Sequence, residues 1–203
     1  LCEQVSFQHE SHAHILEINH CQTGRIGWNF NNGTSVYLGT GDLCLHSMEC
    51  CADSVMIFPL GYCESISVSI NLDELKQHPV PVLQESSVSI DQLERNFCRP
   101  DKSIALASSP AIDGIFRPLY TVPPEIHLPY FKLKVQELIL YLGYLNPNPA
   151  GLTQYCSRQT ALIKDIHTLL TEHLDQRFTI EELSKKYLIN TSSLKEVFKG
   201  VYG

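Results

Sequence analysis

"FTIEELSKKYLINTSSLKEVFKGVYG", from Phe178 to Gly203, reads as two short helices joined by a tight turn. Thr179 is followed three residues on by Glu182, the spacing of a capping box, which predicts a helix starting at Ile180. Ile180, Leu183 and Tyr187 then face inward, and Leu188-Ile189-Asn190 forms the turn. Asn190 is a suitable N-cap for the second helix, whose inward positions are Leu194, Val197 and Phe198. Thr191, Ser192, Lys195, Glu196 and Lys199 are left outside. Short polar side chains at the N-terminal end of a second helix can approach base edges in a major groove, and Lys199 can meet phosphate. Any antiparallel helix pair shows such a pattern, so spacing alone leaves a purely structural unit open.

Charge sets this stretch apart. Residues 177–203 hold five basic and three acidic side chains, net +2, while the preceding 176 residues hold ten basic and nineteen acidic, net −9. The overall charge of −7 argues against a general nucleic-acid coat. The hydrophobic fraction of 43% and charged fraction of 18% are those of an ordinary globular chain of 203 residues, large enough for a sizeable core. No apolar run approaches the roughly 18 residues that span a bilayer, and no signal peptide is evident at Leu1. Eight cysteines without regular spacing read as reduced thiols, which points to the cytoplasm.

Upstream, "SRQTALIKDIHTLLTEHLDQRF" places Leu162, Ile166, Leu169, Leu170 and Leu174 at helical spacing. "NPNPAG" before it is a break. "LPYFKLKVQELILYLGYLNP" predicts a long helix with Phe131, Val135, Leu138, Leu142 and Leu145 on one stripe. Leu133, Ile139 and Leu140 widen it beyond one face, so the helix is either core or covered by a second subunit as well. Shorter helices follow the caps Asn71 and Ser89, and another, at 110–120, is broken by Gly114 and Pro118. The first 70 residues alternate at period two, with turns at Asn31-Asn32-Gly33 and Gly39–Asp42, and suggest a small barrel or sandwich.

The terminal helices, together with "IKDIHTLLTEHLDQR" before them, resemble the first helix-turn-helix of an AraC/XylS-type transcription regulator over about 45 residues, roughly Thr160 to Gly203. "GRIGWNFNNGTSVYLGTGDLCLHSM", "FPLGYCESISVSINLDEL" and "YFKLKVQELILYL" are similar to the sensor half of such regulators, particularly those like the pyochelin regulator. The resemblance implies an α+β chain: an N-terminal cupin-like β-barrel with packed helices that senses a small molecule and dimerises, over 1–146, then a linker at 147–156 and an all-α helix-turn-helix segment over 157–203. It also implies a second helix-turn-helix and a bridging helix, so the chain is expected to be a fragment that binds promoter DNA weakly by itself. Ser192, Lys195 and Glu196 match the family's base-facing positions. Two positions depart from the family pattern. Leu188 stands where a turn glycine is usual, which predicts a distorted turn, and Glu196 stands where arginine is common.

Aromatic residues on the barrel strands suggest an effector pocket of Trp28, Phe30, Tyr37 and Phe58, with His12 and His14 beside it. The dimer interface is expected at Phe131, Val135, Leu138 and Leu142, giving a homodimer that binds DNA and a small effector but no membrane. No catalytic residue, cofactor or metal is expected. No G-x-S-x-G elbow and no phosphate-binding glycine loop occurs. The alternative is a metal-dependent cupin enzyme with a helical tail, using His12, His14 and Glu17. Glu17 sits one residue early for that pattern, and Cys63-Glu64 stand where a later histidine belongs. The vicinal Cys50-Cys51 suits a soft metal or an oxidant, or is simply buried.

Overall fold

Most strands lie in the region where alternation predicts them. The computed structural model describes residues 4–6, 14–51, 54–100, 102–145 and 151–203. Five strands come first: β1 (Gln4–Ser6), β2 (Ile15–Gly24), β3 (Ile26–Asn29), β4 (Thr34–Leu38) and β5 (Leu43–Ser47). A single helical turn, α1 (Met48–Cys51), leads to β6 (Val55–Ile57) and β7 (Cys63–Asn71). Helices α2 (Leu72–Gln77), α3 (Pro81–Gln84) and α4 (Ile90–Phe97) follow, then β8 (Ile104–Leu106), α5 (Pro110–Phe116) and α6 (His127–Tyr144). The chain ends with β9 (Tyr155–Cys156), α7 (Ser157–Glu172), α8 (Ile180–Lys186) and α9 (Thr191–Tyr202).

Hydrogen bonding draws two antiparallel sheets, in the orders β1-β6-β3-β4-β9 and β7-β2-β5-β8. The two sheets pack face to face, and neither closes into a barrel among the described residues. The layers follow from period-two alternation. On β2 and β5, Leu16, Ile18, Leu43 and Leu45 face one way, into a core shared with Leu93, Phe97, Phe116, Leu138 and Leu142 of the helices. Cys21 and Cys44 face the other way, between the sheets, with Trp28, Phe30, Val36 and Leu38. The outer face of the five-stranded sheet packs Tyr37 against Ile163, Ile166, Leu194, Val197 and Val201 of α7 and α9. The order of layers is thus α2–α6, four-stranded sheet, five-stranded sheet, α7–α9.

Local signals act as the side chains dictate. Asn71 accepts from Glu74 N, Ser89 from Gln92 N, and Gly33 turns the β3–β4 hairpin at φ +80°. Two strands fall outside the expected β region. The three residues of β8 pair with β5, and the two residues of β9, inside the expected linker, pair with β4.

The interface role expected for Leu138 and Leu142 is corrected by burial. They are 1% and 0% exposed inside the chain's own core, because the α6 stripe covers the sheet. Phe131 and Val135 are half-buried, while Leu128 and Leu133 are exposed. Among the described residues no helix is long and apolar enough to cross a membrane.

Candidate nucleic-acid interface and its seat

Each terminal helix is started by a local cap. Thr179 and Glu182 form the capping box: Glu182 N donates to Thr179 Oγ1 at 3.2 Å, and Thr179 N to Glu182 Oε2 at 2.8 Å. The amide of Thr179 holds the Glu182 carboxyl below the usual carboxylate range. Asn190 Oδ1 accepts from Ser193 N at 2.7 Å and starts α9. Between the helices, Ser184 Oγ donates to Ile189 O at 2.6 Å and Ile189 N to Ser184 O at 3.1 Å.

Leu188 keeps the turn tight by adopting φ +52°, the left-handed region that glycine visits without penalty. Its side chain is 94% exposed, so packing of that side chain does not offset the strain, and the two bonds between Ser184 and Ile189 hold the turn. A leucine at this position therefore costs energy, while the connection stays short. Leu188→Gly is expected to raise stability by about 0.5–1 kcal/mol, the relief of left-handed strain less the added chain entropy. Urea denaturation of the two proteins reads the difference; a loss of stability would show that the Leu188 side chain contributes packing.

α9 buries Leu194, Val197 and Val201. Ser192, Lys195, Glu196 and Lys199, at helical spacing i, i+3, i+4 and i+7, form an exposed stripe, and Thr191 at its start is half-buried. Phe198, expected inward, is only half-buried; Val201 takes that place beside Tyr37.

The C-terminal end of α9 rests on the five-stranded sheet. Arg25, in the β2–β3 turn, donates through Nε to Val201 O at 2.9 Å and through Nη2 to Gly200 O. A guanidinium on terminal carbonyls satisfies acceptors that lack a partner within the helix and complements its dipole. Gly200 lies under Tyr155 of β9, whose hydroxyl would be 2.1 Å from an added Cβ. Tyr37 lies across from Gly27, where an added Cβ would meet its ring at 2.4 Å. Polar bonds extend the seat: Ser35 Oγ is 3.0 Å from Ser157 Oγ and 3.3 Å from Thr160 Oγ1. No motif or periodicity in the sequence marks Arg25, Tyr155 or Gly200. An arginine beside a turn glycine carries no periodic signal.

The expected effector pocket is divided by the pleat. Trp28 and Phe30 are buried between the sheets, with ring centroids 6.2 Å from that of His46. Trp28 pairs with Val36 and Gly27 with Tyr37, so Tyr37 points to the opposite face. Tyr37 and Phe58 line a cavity of about 450 Å³ between this sheet and α7, with Lys164, His167 and Thr168 opposite. His167 stacks on Tyr202 at 4.0 Å. Burial pushes the Tyr37 hydroxyl up in pKa, with a bond to Thr160 opposing it.

His14 belongs to neither space. It is exposed, with Nδ1 on the Glu94 carboxylate, and Lys76 Nζ lies 2.6 Å from the other Glu94 oxygen. His12 lies outside the described residues. Glu17 does not join His14, which precedes β2 and bonds Glu94. It meets His46 and Cys51 between the sheets instead.

No protein-family model matches the chain, and no curated protein matches it. Among solved structures, two of ToxT from Vibrio cholerae O395 are similar over 98% of this chain. They cover 70% and 72% of the ToxT chains, at 11% and 10% identity, each with TM-score 0.41. The second holds (E)-4-(8-methylnaphthalen-1-yl)but-3-enoic acid. The AraC-like transcriptional activator CuxR is similar over 91% of this chain and 60% of its own, at 12% identity and TM-score 0.32.

Proposed function

We propose that this chain is a ligand-responsive transcription regulator of the AraC/XylS type, acting in the cytoplasm, that reads promoter DNA through α9. The observation that carries the proposal is the exposed stripe Ser192, Lys195, Glu196 and Lys199 on a helix whose opposite face is locked into a capped two-helix unit. The local +2 charge of residues 177–203 in an otherwise acidic chain supports it. Ser192 and Lys195 reach base edges, Lys199 meets phosphate, and Glu196 accepts from a cytosine amine.

The effector occupies the cavity between the five-stranded sheet and α7, where Tyr37 and Phe58 supply apolar surface and Lys164 and His167 polar groups. A molecule seated there contacts both the sheet and the layer that carries α9. It shifts the arrangement of the two by binding one arrangement more tightly than the other. Two copies associate through the solvent side of α6, where Phe131 and Val135 line an apolar groove beside the β7 edge and Leu133 is exposed.

Selection from a pool of randomised duplexes at low salt tests this. Enrichment of a defined motif by the chain, abolished by Ser192→Ala with Lys195→Ala, is the expected result. A pool that stays random, or enrichment indifferent to those changes, would contradict it.

A further inference from the structure

We propose that Glu17, His46 and Cys51 form a buried site for a divalent transition metal of the zinc class, held between the two sheets. The site rests on its own geometry and is independent of the regulator proposal. Glu17 of β2 and His46 of β5 are directly paired across the ladder, and α1 brings Cys51 over them. Cys51 Sγ is 3.2 Å from Glu17 Oε2, and His46 Nδ1 is 3.7 Å from the same oxygen. One donor atom from each of the three lies within 4.8 Å of the others. Bond lengths of about 2.0–2.3 Å to nitrogen, oxygen and sulfur give tetrahedral edges of roughly 3.3–3.6 Å, so small movements close the site. Carboxylate, imidazole and thiolate together suit zinc and cobalt better than magnesium or calcium, which take oxygen ligands.

The surroundings supply the outer contacts that such a site needs. Asn19 Nδ2 is 3.1 Å from His46 Nε2, and Ser67 Oγ donates to Asn19 Oδ1 at 2.6 Å. Metal on Nδ1 puts the ring hydrogen on Nε2. Half a turn of the Asn19 amide then presents its oxygen to that hydrogen, while the Ser67 hydroxyl accepts from the amide nitrogen. His46 Nδ1, 3.1 Å from Ser47 O, exchanges that contact for the metal. Binding replaces the Cys51 S–H bond by an S–metal bond and releases the proton to solvent. A divalent ion with one carboxylate, one thiolate and a neutral imidazole carries no net charge, which lowers the cost of burial. Entry is from the β7 edge, where Ser67 and Ser69 are exposed and the Glu17 side chain is 21% exposed. Three protein ligands leave a fourth position for water or an added donor.

Cobalt titration of the chelator-treated chain is the test. One cobalt per chain is expected, with a near-ultraviolet sulfur-to-cobalt charge-transfer band and strong visible bands of tetrahedral cobalt. Cys51→Ser should remove the charge-transfer band, whereas Cys156→Ser, an exposed thiol elsewhere, should keep it. Asn19→Ala, a positioning change, should keep the band but weaken binding about 10–100-fold. Zinc should raise Tm of the wild type and not of Cys51→Ser. If Cys51→Ser fails to fold, Glu17→Gln carries the comparison and should bind at least about tenfold more weakly. Absence of the charge-transfer band, or a band that persists in Cys51→Ser, would overturn the site.

Discussion

Leu142→Ala is expected to lower the stability of the chain by about 3–4 kcal/mol, and Leu142→Asp to prevent folding. Leu142 is 0% exposed and lies with Leu138, Leu16, Phe97 and Phe116 in the core beneath the four-stranded sheet. Truncation loses the transfer energy of the removed methyl groups and leaves a void that close-packed neighbours fill only in part. A carboxylate at the same place finds no cationic partner in that cluster. The outcome separates two roles for α6. If Leu142 served a subunit interface, the Asp variant would be a folded monomer. As a core residue it gives an unfolded chain, whereas Leu133→Asp, 62% exposed in the wild type, should leave stability within about 0.5 kcal/mol and change only association. Urea denaturation with sedimentation velocity distinguishes the two. A folded Leu142→Asp monomer of wild-type stability would refute the core assignment.

A second large effect is a loss of stability in mild acid centred on His20. Its ring stacks on Phe116 with centroids 4.4 Å apart, and its Nδ1 is 3.0 Å from the Tyr120 hydroxyl. His20 Nε2 is buried and has no hydrogen-bond partner among the described residues. Burial pushes the imidazole down to about 4, with Asp113 opposing the shift. A folded pKa below the unfolded value near 6.5 means that the unfolded chain takes up the proton first. The contribution is therefore complete above pH 6.5 and is lost as pH falls towards 4. The loss is about 2–3 kcal/mol by pH 4.5. Denaturation at pH 7 and pH 4.5 should show that difference for the wild type, reduced by about 2 kcal/mol in His20→Gln. An equal acid loss in both proteins would place the sensitivity elsewhere.

What could be read from the sequence was local. The Thr179/Glu182 box and the Asn190, Asn71 and Ser89 caps need only a few neighbouring residues, and each stands where expected. The polar stripe on α9 follows from the helical period alone. Features set by pairing between distant strands were not legible. β8 and β9 are too short, three and two residues, for alternation to reveal them. Trp28 and Tyr37 are both aromatic on neighbouring strands, yet the register that places Gly27 opposite Tyr37 sends them to different faces. The partners of Glu17 come from β5 and α1, brought to it by strand pairing that the local sequence does not reveal.

The central claim, that α9 is the surface that meets DNA, is tested most directly by fluorescence anisotropy of a selected duplex titrated with the wild type and with Lys195→Ala across a range of salt. Affinity should fall with salt, and Lys195→Ala should bind about tenfold more weakly at low salt, losing about 1.4 kcal/mol. With Lys195 at a base edge, the loss should depend on the base and the salt slope should stay nearly unchanged, whereas a slope lower by about one would place Lys195 on phosphate. Equal affinity and equal slope for the two proteins would remove α9 from the DNA interface.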